Sequence, residues 1–117
     1  MLPWWWPFGH VPEVSPKQLD RDMRSRRPPQ LVDVRSAAEH AGGHIGGVKL
    51  APLQELRQRL DGLGLDPGRP VVAVCQTGYR SVPAVRLLRR EGYDARHLAG
   101  GMNAWRRAKL PEAKRKR

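Results

Sequence analysis

The apolar positions of this chain follow two spacings that alternate along it. Short apolar runs bounded by breakers stand at "LVDV" (31–34) and "VVAV" (71–74), the pattern of buried strands. Elsewhere the spacing changes to three and four. In "SPKQLDRDMRSR" Leu19 and Met23 share a helical face, Ser15 can cap it, Pro16 suits its first turn, and "RPPQ" ends it. In "LQELRQRLDGLG" Leu53, Leu56 and Leu60 predict an amphipathic helix stopped by Gly62. From about Arg80, "RSVPAVRLLRREG" puts Val82, Val85 and Leu88 on one face, with Pro83 tolerated in the first turn and Gly92 as the stop. "GMNAWRRAKL" closes the series with Met102 and Trp105 three apart. The weaker segments are one helical turn at "SAAEH", a brief strand at "VKLAP" ended by Pro52, and a strand at "DARHLAG". "AGGHIGG", with four glycines between positions 42 and 47, predicts a loop. Strands alternating with helices predict an α/β fold with a small, mainly parallel central sheet flanked by helices on both faces.

Composition narrows this picture. At 117 residues the chain fits one domain. Its single cysteine excludes an intrachain disulfide and favours a reducing compartment, the cytoplasm. No segment reaches the roughly 20 mostly apolar residues of a membrane span. The opening "MLPWWWPFGHVP" lacks a basic start and is interrupted by prolines, so it does not read as a signal peptide. Trp4, Trp5 and Trp6 fit either a loop covering the domain or an interfacial membrane anchor, and the lack of an amphipathic helix favours the loop. The expected organisation is a lead over 1–12, a domain over 13–111 and a basic tail over 112–117.

Net charge is +11, and "RRAKLPEAKRKR" carries much of it against one acid, Glu112. Such charge attracts RNA, anionic lipid or acidic protein without choosing among them. No aromatic residues interleave the terminal basic run, so no specific nucleic-acid partner is expected.

The chemistry concentrates at "VVAVCQTGYRS" (71–81), where the one cysteine follows a strand and precedes a helix. In parallel sheets, ligands bind beyond the carboxyl ends of strands. Gly78 permits a curled loop whose amides and following helix end form an anion cradle. Favouring thiolate by two pKa units takes about 2.7 kcal/mol. A helix end alone supplies about 0.3–1 kcal/mol. Loop amides and the cation of Arg80 are the expected remainder.

These residues resemble the rhodanese family. "CQTGYRS" is similar to its six-residue active-site loop, Cys75 through Arg80, followed by Ser81 at the helix start. "LVDVRSAAEHAGGHIGGVKLAP" resembles the family's early block, with Asp33-Val34-Arg35, Glu39 and Gly43-His44-Ile45, although Gly46 stands where proline is frequent. "HLAGGMNAWRRAKLP" resembles its closing glycine pair and Ala-Trp helix. The resemblance implies a rhodanese-like three-layer fold and a sulfurtransferase. Cys75 would attack the sulfane sulfur of thiosulfate or a persulfide donor and carry it as a persulfide. Gln76, Thr77, Gly78, Tyr79, Arg80 and Ser81 would bind substrate, with Arg80 helping to hold an anionic donor. A thiol, cyanide or a protein sulfur-relay partner would accept the sulfur, and neither metal nor organic cofactor would be required.

Asp33 and Arg35 fit a supporting role behind the cysteine loop. His40 and His44 are four apart, but Gly42 and Gly43 argue against the helix that zinc spacing would need. His97 fits a strand-end histidine better than a base, and "GGHIGG" lacks the strand and helix of a dinucleotide fingerprint. A cysteine phosphatase or arsenate reductase resembles Cys-x(5)-Arg, whereas four residues separate Cys75 from Arg80 and Val74 stands where many phosphatases have histidine. A non-catalytic sulfur-carrier or interaction module is the other alternative.

Overall fold

A computed structural model describes residues 9–114, so Trp4, Trp5, Trp6 and the end of the basic tail lie outside the described residues. Five strands, β1 (Glu13–Val14), β2 (Gln30–Asp33), β3 (Lys49–Leu50), β4 (Val71–Val74) and β5 (Ala95–Leu98), form one sheet in the order β1-β5-β4-β2-β3. Every neighbouring pair is parallel. The helices are α1 (Pro16–Met23), α2 (Ala37–Ala41), α3 (Leu56–Arg59), α4 (Ser81–Arg90) and α5 (Gly101–Arg107).

Strand alternation sorts the core into two layers. Val71, Ala73 and Cys75 join Leu56, Leu60, Val85 and Leu88 on the face covered by α3 and α4. Val72 and Val74 join Leu19, Met102 and Trp105 on the face covered by α1 and α5. β4 is therefore buried on both sides, which is why its sequence is unbroken apolar. Ser15 caps α1 by accepting from the Gln18 N–H at 3.2 Å, with Pro16 in the first turn. Ser36 and Glu39 form a reciprocal capping box on α2, which holds so short a helix in place.

Two features depart from the predicted elements. The stretch expected as one helix from Leu53 is a 3₁₀ turn (Leu53–Glu55), the single turn of α3, and a second 3₁₀ turn (Leu60–Leu63). Its stop is Gly64, in the left-handed conformation at φ 65°, rather than Gly62. β1 has no counterpart among the predicted elements. It exists by pairing: the His97 N–H donates to the Pro12 carbonyl at 3.0 Å, and the Ala99 N–H to the Val14 carbonyl at 2.9 Å. At the other end, Ala113 exchanges two backbone hydrogen bonds with His44, at 2.8 and 2.6 Å. Among the described residues no helix is long and apolar enough to cross a membrane.

Sheet order places the predicted site residues. The chain leaves β2 toward β3 on one side and leaves β4 toward β5 on the other. The carboxyl ends of β2 and β4 therefore flank a switch point, where open α/β sheets form a crevice. Asp33 and Arg35 stand at one lip, and Cys75 at the other.

Candidate active site

Cys75 is wholly buried beneath the segment that follows it. The Gly78 N–H donates to its Sγ at 2.9 Å, and its thiol lies 3.4 Å from the Ser81 hydroxyl at the start of α4. Gly78 adopts φ 103°, which a side chain would strain, and this turn brings its amide back over the sulfur. The loop is also held from outside. The carbonyls of Cys75 and Gln76 accept the Met102 and Asn103 N–H groups of α5 at 2.8 and 3.0 Å. Gly101, at φ 60°, allows that approach, since a Cβ there would fall on the Cys75 carbonyl oxygen. Thr77 and Tyr79 are exposed at the rim, and Tyr79 is the large apolar side chain left exposed among the described residues.

On the β2 side the loop rests on buried charge. Arg35 and Asp33, each about 1% exposed, form a two-point ion pair, Nε to Oδ1 at 2.9 Å and Nη2 to Oδ2 at 2.8 Å. The same guanidinium makes two further contacts: Nη1 donates to Gln76 Oε1 at 2.9 Å, and Nη2, through its second hydrogen, to the Gly43 carbonyl at 2.8 Å. Gln76 in turn donates to Asn103 Oδ1 at 2.7 Å. His40 completes the cluster with Nδ1 3.0 Å from Asp33 Oδ2. Its ring stacks on His44 with centroids 3.8 Å apart, and His44 Nδ1 contacts the His40 carbonyl at 2.7 Å. α2 ends at Ala41, so these two histidines do not share a helix.

Arg80 is engaged more fully than its sequence context indicates. It forks onto Glu39, with Nη1 to Oε1 at 2.6 Å and Nη2 to Oε2 at 2.7 Å. The Arg80 hydrogen bond lowers the Glu39 pKa to about 2, and the same contact raises that of Arg80, with a smaller contribution from Cys75. Much of the guanidinium's charge is therefore spent on α2 rather than left for a bound anion.

On the opposite side stands a chain that the sequence pattern did not assemble. Ser81 Oγ lies 2.8 Å from His97 Nδ1, and His97 Nε2 lies 3.5 Å from Glu13 Oε1. Burial pushes the His97 pKa down, opposed by the nearby Glu13 carboxylate. The signal for this contact was the register of two adjacent strands. His97 pairs with Ala73, so it sits beside β4 two residues short of Cys75 and on the same face. Glu39 was visible only as part of a resemblance, because its partner lies 41 residues away.

Among the described residues no group of three or more His, Cys, Asp or Glu side chains gathers to hold a metal ion. A hollow of about 390 Å³ lined by Met23, Pro29, Gln30, Asp66 and Arg69 opens at the amino end of β2, away from the cysteine loop. The arrangement at Cys75 is a buried free thiol under a tight loop, with Thr77 and Tyr79 exposed on the loop above it.

Similarity to known proteins agrees with this geometry. The rhodanese-like domain pattern matches residues 15–108. Protein YqhL of Bacillus subtilis is 40% identical over 80 residues, covering 68% of this chain and 62% of YqhL. A sulfurtransferase of Allochromatium vinosum is 33% identical over 102 residues, covering 86% of this chain and 94% of that protein. A rhodanese-like domain protein of Staphylococcus aureus superposes with a TM-score of 0.75 at 32% identity, covering 81% of this chain and 91% of that one. Some relatives are much longer: the chain spans 26% of the probable adenylyltransferase/sulfurtransferase MoeZ of Mycobacterium tuberculosis.

Proposed function

Because the chain belongs to the rhodanese-like domain family, we propose that it is a sulfurtransferase in which Cys75 carries the transferred sulfur as a persulfide. The observation that supports this best is the Cys75 sulfur held under its loop, with the Gly78 N–H donating to it at 2.9 Å. A thiolate there attacks the sulfane sulfur of thiosulfate. A Cys75–sulfur bond forms, the bond to the sulfite group breaks, and sulfite leaves with the electron pair. A persulfide donor reacts in the same way and leaves as a thiolate. In the second half-reaction cyanide or a thiolate attacks the outer sulfur, and Cys75 departs as thiolate. The Gly78 N–H favours both anionic forms, because a donor already aimed at the sulfur needs no reorientation as charge develops.

The remaining loop residues take separate roles in this reading. Thr77 and Tyr79 form the rim that meets the donor or a protein partner. Gln76, held by Arg35 and Asn103, fixes where the loop begins. Asp33 and Arg35 act behind it by position. Arg80 draws the loop toward α2 through Glu39 and adds a diffuse positive field for an anionic donor. A single free thiol suits the reducing cytoplasm.

The second reading, a sulfur carrier without turnover, draws on the exposed Tyr79 rim, where a persulfide can be offered to a docked protein. Phosphate chemistry is disfavoured by the four-residue gap to Arg80 and by the commitment of its two terminal nitrogens to Glu39. Thiosulfate:cyanide transfer measured beside a phosphatase assay tests the proposal. The expected result is transfer by the native chain, loss of transfer in Cys75→Ser with the fold intact, and no phosphatase activity. Native-like transfer in Cys75→Ser would overturn it, and persulfide formation without turnover would select the carrier.

A further inference from the structure

Cys75 is buried, so forming its thiolate requires a route for the proton. The thiol faces the Ser81 hydroxyl at 3.4 Å, which faces His97 Nδ1 at 2.8 Å, and His97 Nε2 faces Glu13 Oε1 at 3.5 Å. Glu13 is 64% exposed, whereas the His97 side chain is 9% exposed. These four side chains come from the end of β4, the start of α4, β5 and β1, and they join a closed sulfur to open solvent.

The hydroxyl of Ser81 has one hydrogen to place among Cys75, His97 and the Gly78 carbonyl at 3.3 Å. Two proton arrangements satisfy the chain. In one, the thiol donates to Ser81 Oγ, Ser81 donates to His97 Nδ1, and His97 carries its proton on Nε2 toward Glu13. In the other, His97 carries its proton on Nδ1 and donates to Ser81, while Ser81 donates to the Cys75 thiolate. We propose that His97, acting through Ser81, accepts the Cys75 proton and releases one beside Glu13, which makes it a positioning residue for the nucleophile. The inference rests on the sulfur-transfer reading for its purpose, though not for its test.

The step balances. The S–H bond of Cys75 breaks as an O–H bond forms on Ser81. The original Ser81 proton passes to His97 Nδ1. The Nε2 proton passes to the Glu13 carboxylate and on to water, leaving one thiolate and one proton in solvent. The product arrangement also turns the Ser81 hydroxyl toward the sulfur, where it donates to the anion. Glu13 is the charged group in contact with the His97 ring, Cys75 reaches the ring only through Ser81, and α4 contributes that Ser81 hydroxyl. Burial lowers the His97 pKa and so favours the neutral ring, whose Nδ1 is the acceptor in the first arrangement and the donor in the second.

The test reads thiol reactivity rather than sulfur transfer, so its failure and the failure of the sulfurtransferase reading are separate results. Iodoacetamide alkylation of Cys75 is followed against pH in the native chain, Ser81→Ala, His97→Leu and the double variant, each checked for folding by thermal unfolding. Each single variant is expected to alkylate about tenfold more slowly near pH 7, below the ~10²–10⁴ of a directly acting base. The double variant is expected to be no slower than either, because the relay is broken once. A native profile in His97→Leu, or a double variant slowed by the product of the two effects, would overturn the relay. In the unmutated chain, imidazole ¹⁵N NMR is expected to place the His97 proton on Nε2 while Cys75 is a thiol and on Nδ1 once it is a thiolate. A His97 proton that stays on one nitrogen throughout would overturn it without any substitution.

Discussion

Two groups of polar side chains flank Cys75, and they are built on opposite principles. On the β2 side, Asp33 with Arg35 and Glu39 with Arg80 form two-point ion pairs, and His40 and Gln76 each add a single contact to the first pair. A two-point ion pair fixes the orientation of both its members, and these two hold the loop still. On the β5 side, Ser81, His97 and Glu13 form a single file in which one hydrogen has alternative places. A file of that kind holds a proton loosely enough to move it. The contrast separates holding a nucleophile in place from preparing it to react.

The two sides are expected to fail differently. The largest effect on stability is expected from Arg35→Met, which leaves the buried Asp33 carboxylate with only His40 and the Arg35 backbone N–H beside it. Breaking a buried ion pair from one side costs about 3–5 kcal/mol, read by urea unfolding. In the fraction that remains folded, the pH profile of Cys75 alkylation should stay close to native. A shift as large as that of His97→Leu would erase the distinction between the two sides.

A smaller effect is expected at the edge of the charged side. Glu39 has a folded pKa of about 2, below the ordinary 4.5. The native state therefore binds this proton less readily than the unfolded chain. Its stabilisation is fully present above about 4.5 and is lost as pH falls through about 2. Glu39→Gln should flatten the stability slope across that window by about 1 kcal/mol or less, since the pair is partly exposed. An unchanged slope in acid titration of the variant would show that the Arg80 contact contributes nothing to the hold on the loop.

What was readable in the sequence follows from how local each feature is. The apolar run of β4, the capped start of α1 and the spaced faces of α4 are written within a dozen residues, and the structure has them where the pattern puts them. The two-residue β1 is too short to show alternation and depends on the edge of β5. The Leu53, Leu56 and Leu60 spacing suits α and 3₁₀ turns alike, so the broken helix and its stop at Gly64 were settled by packing and by one left-handed residue. The cysteine loop was legible because strand, thiol, glycine and helix start are contiguous. The Arg80–Glu39 pair spans 41 residues and the Ser81–His97 contact spans 16, and both become neighbours only once the strand order is known.

The central claim is that Cys75 becomes a persulfide. Intact-mass spectrometry of the full chain after incubation with thiosulfate and removal of excess reagent tests it most directly. The expected result is a mass gain of one sulfur atom that cyanide removes and that Cys75→Ser never acquires. An unchanged mass in the native chain with both thiosulfate and a persulfide donor, or an equal gain in Cys75→Ser, would contradict it.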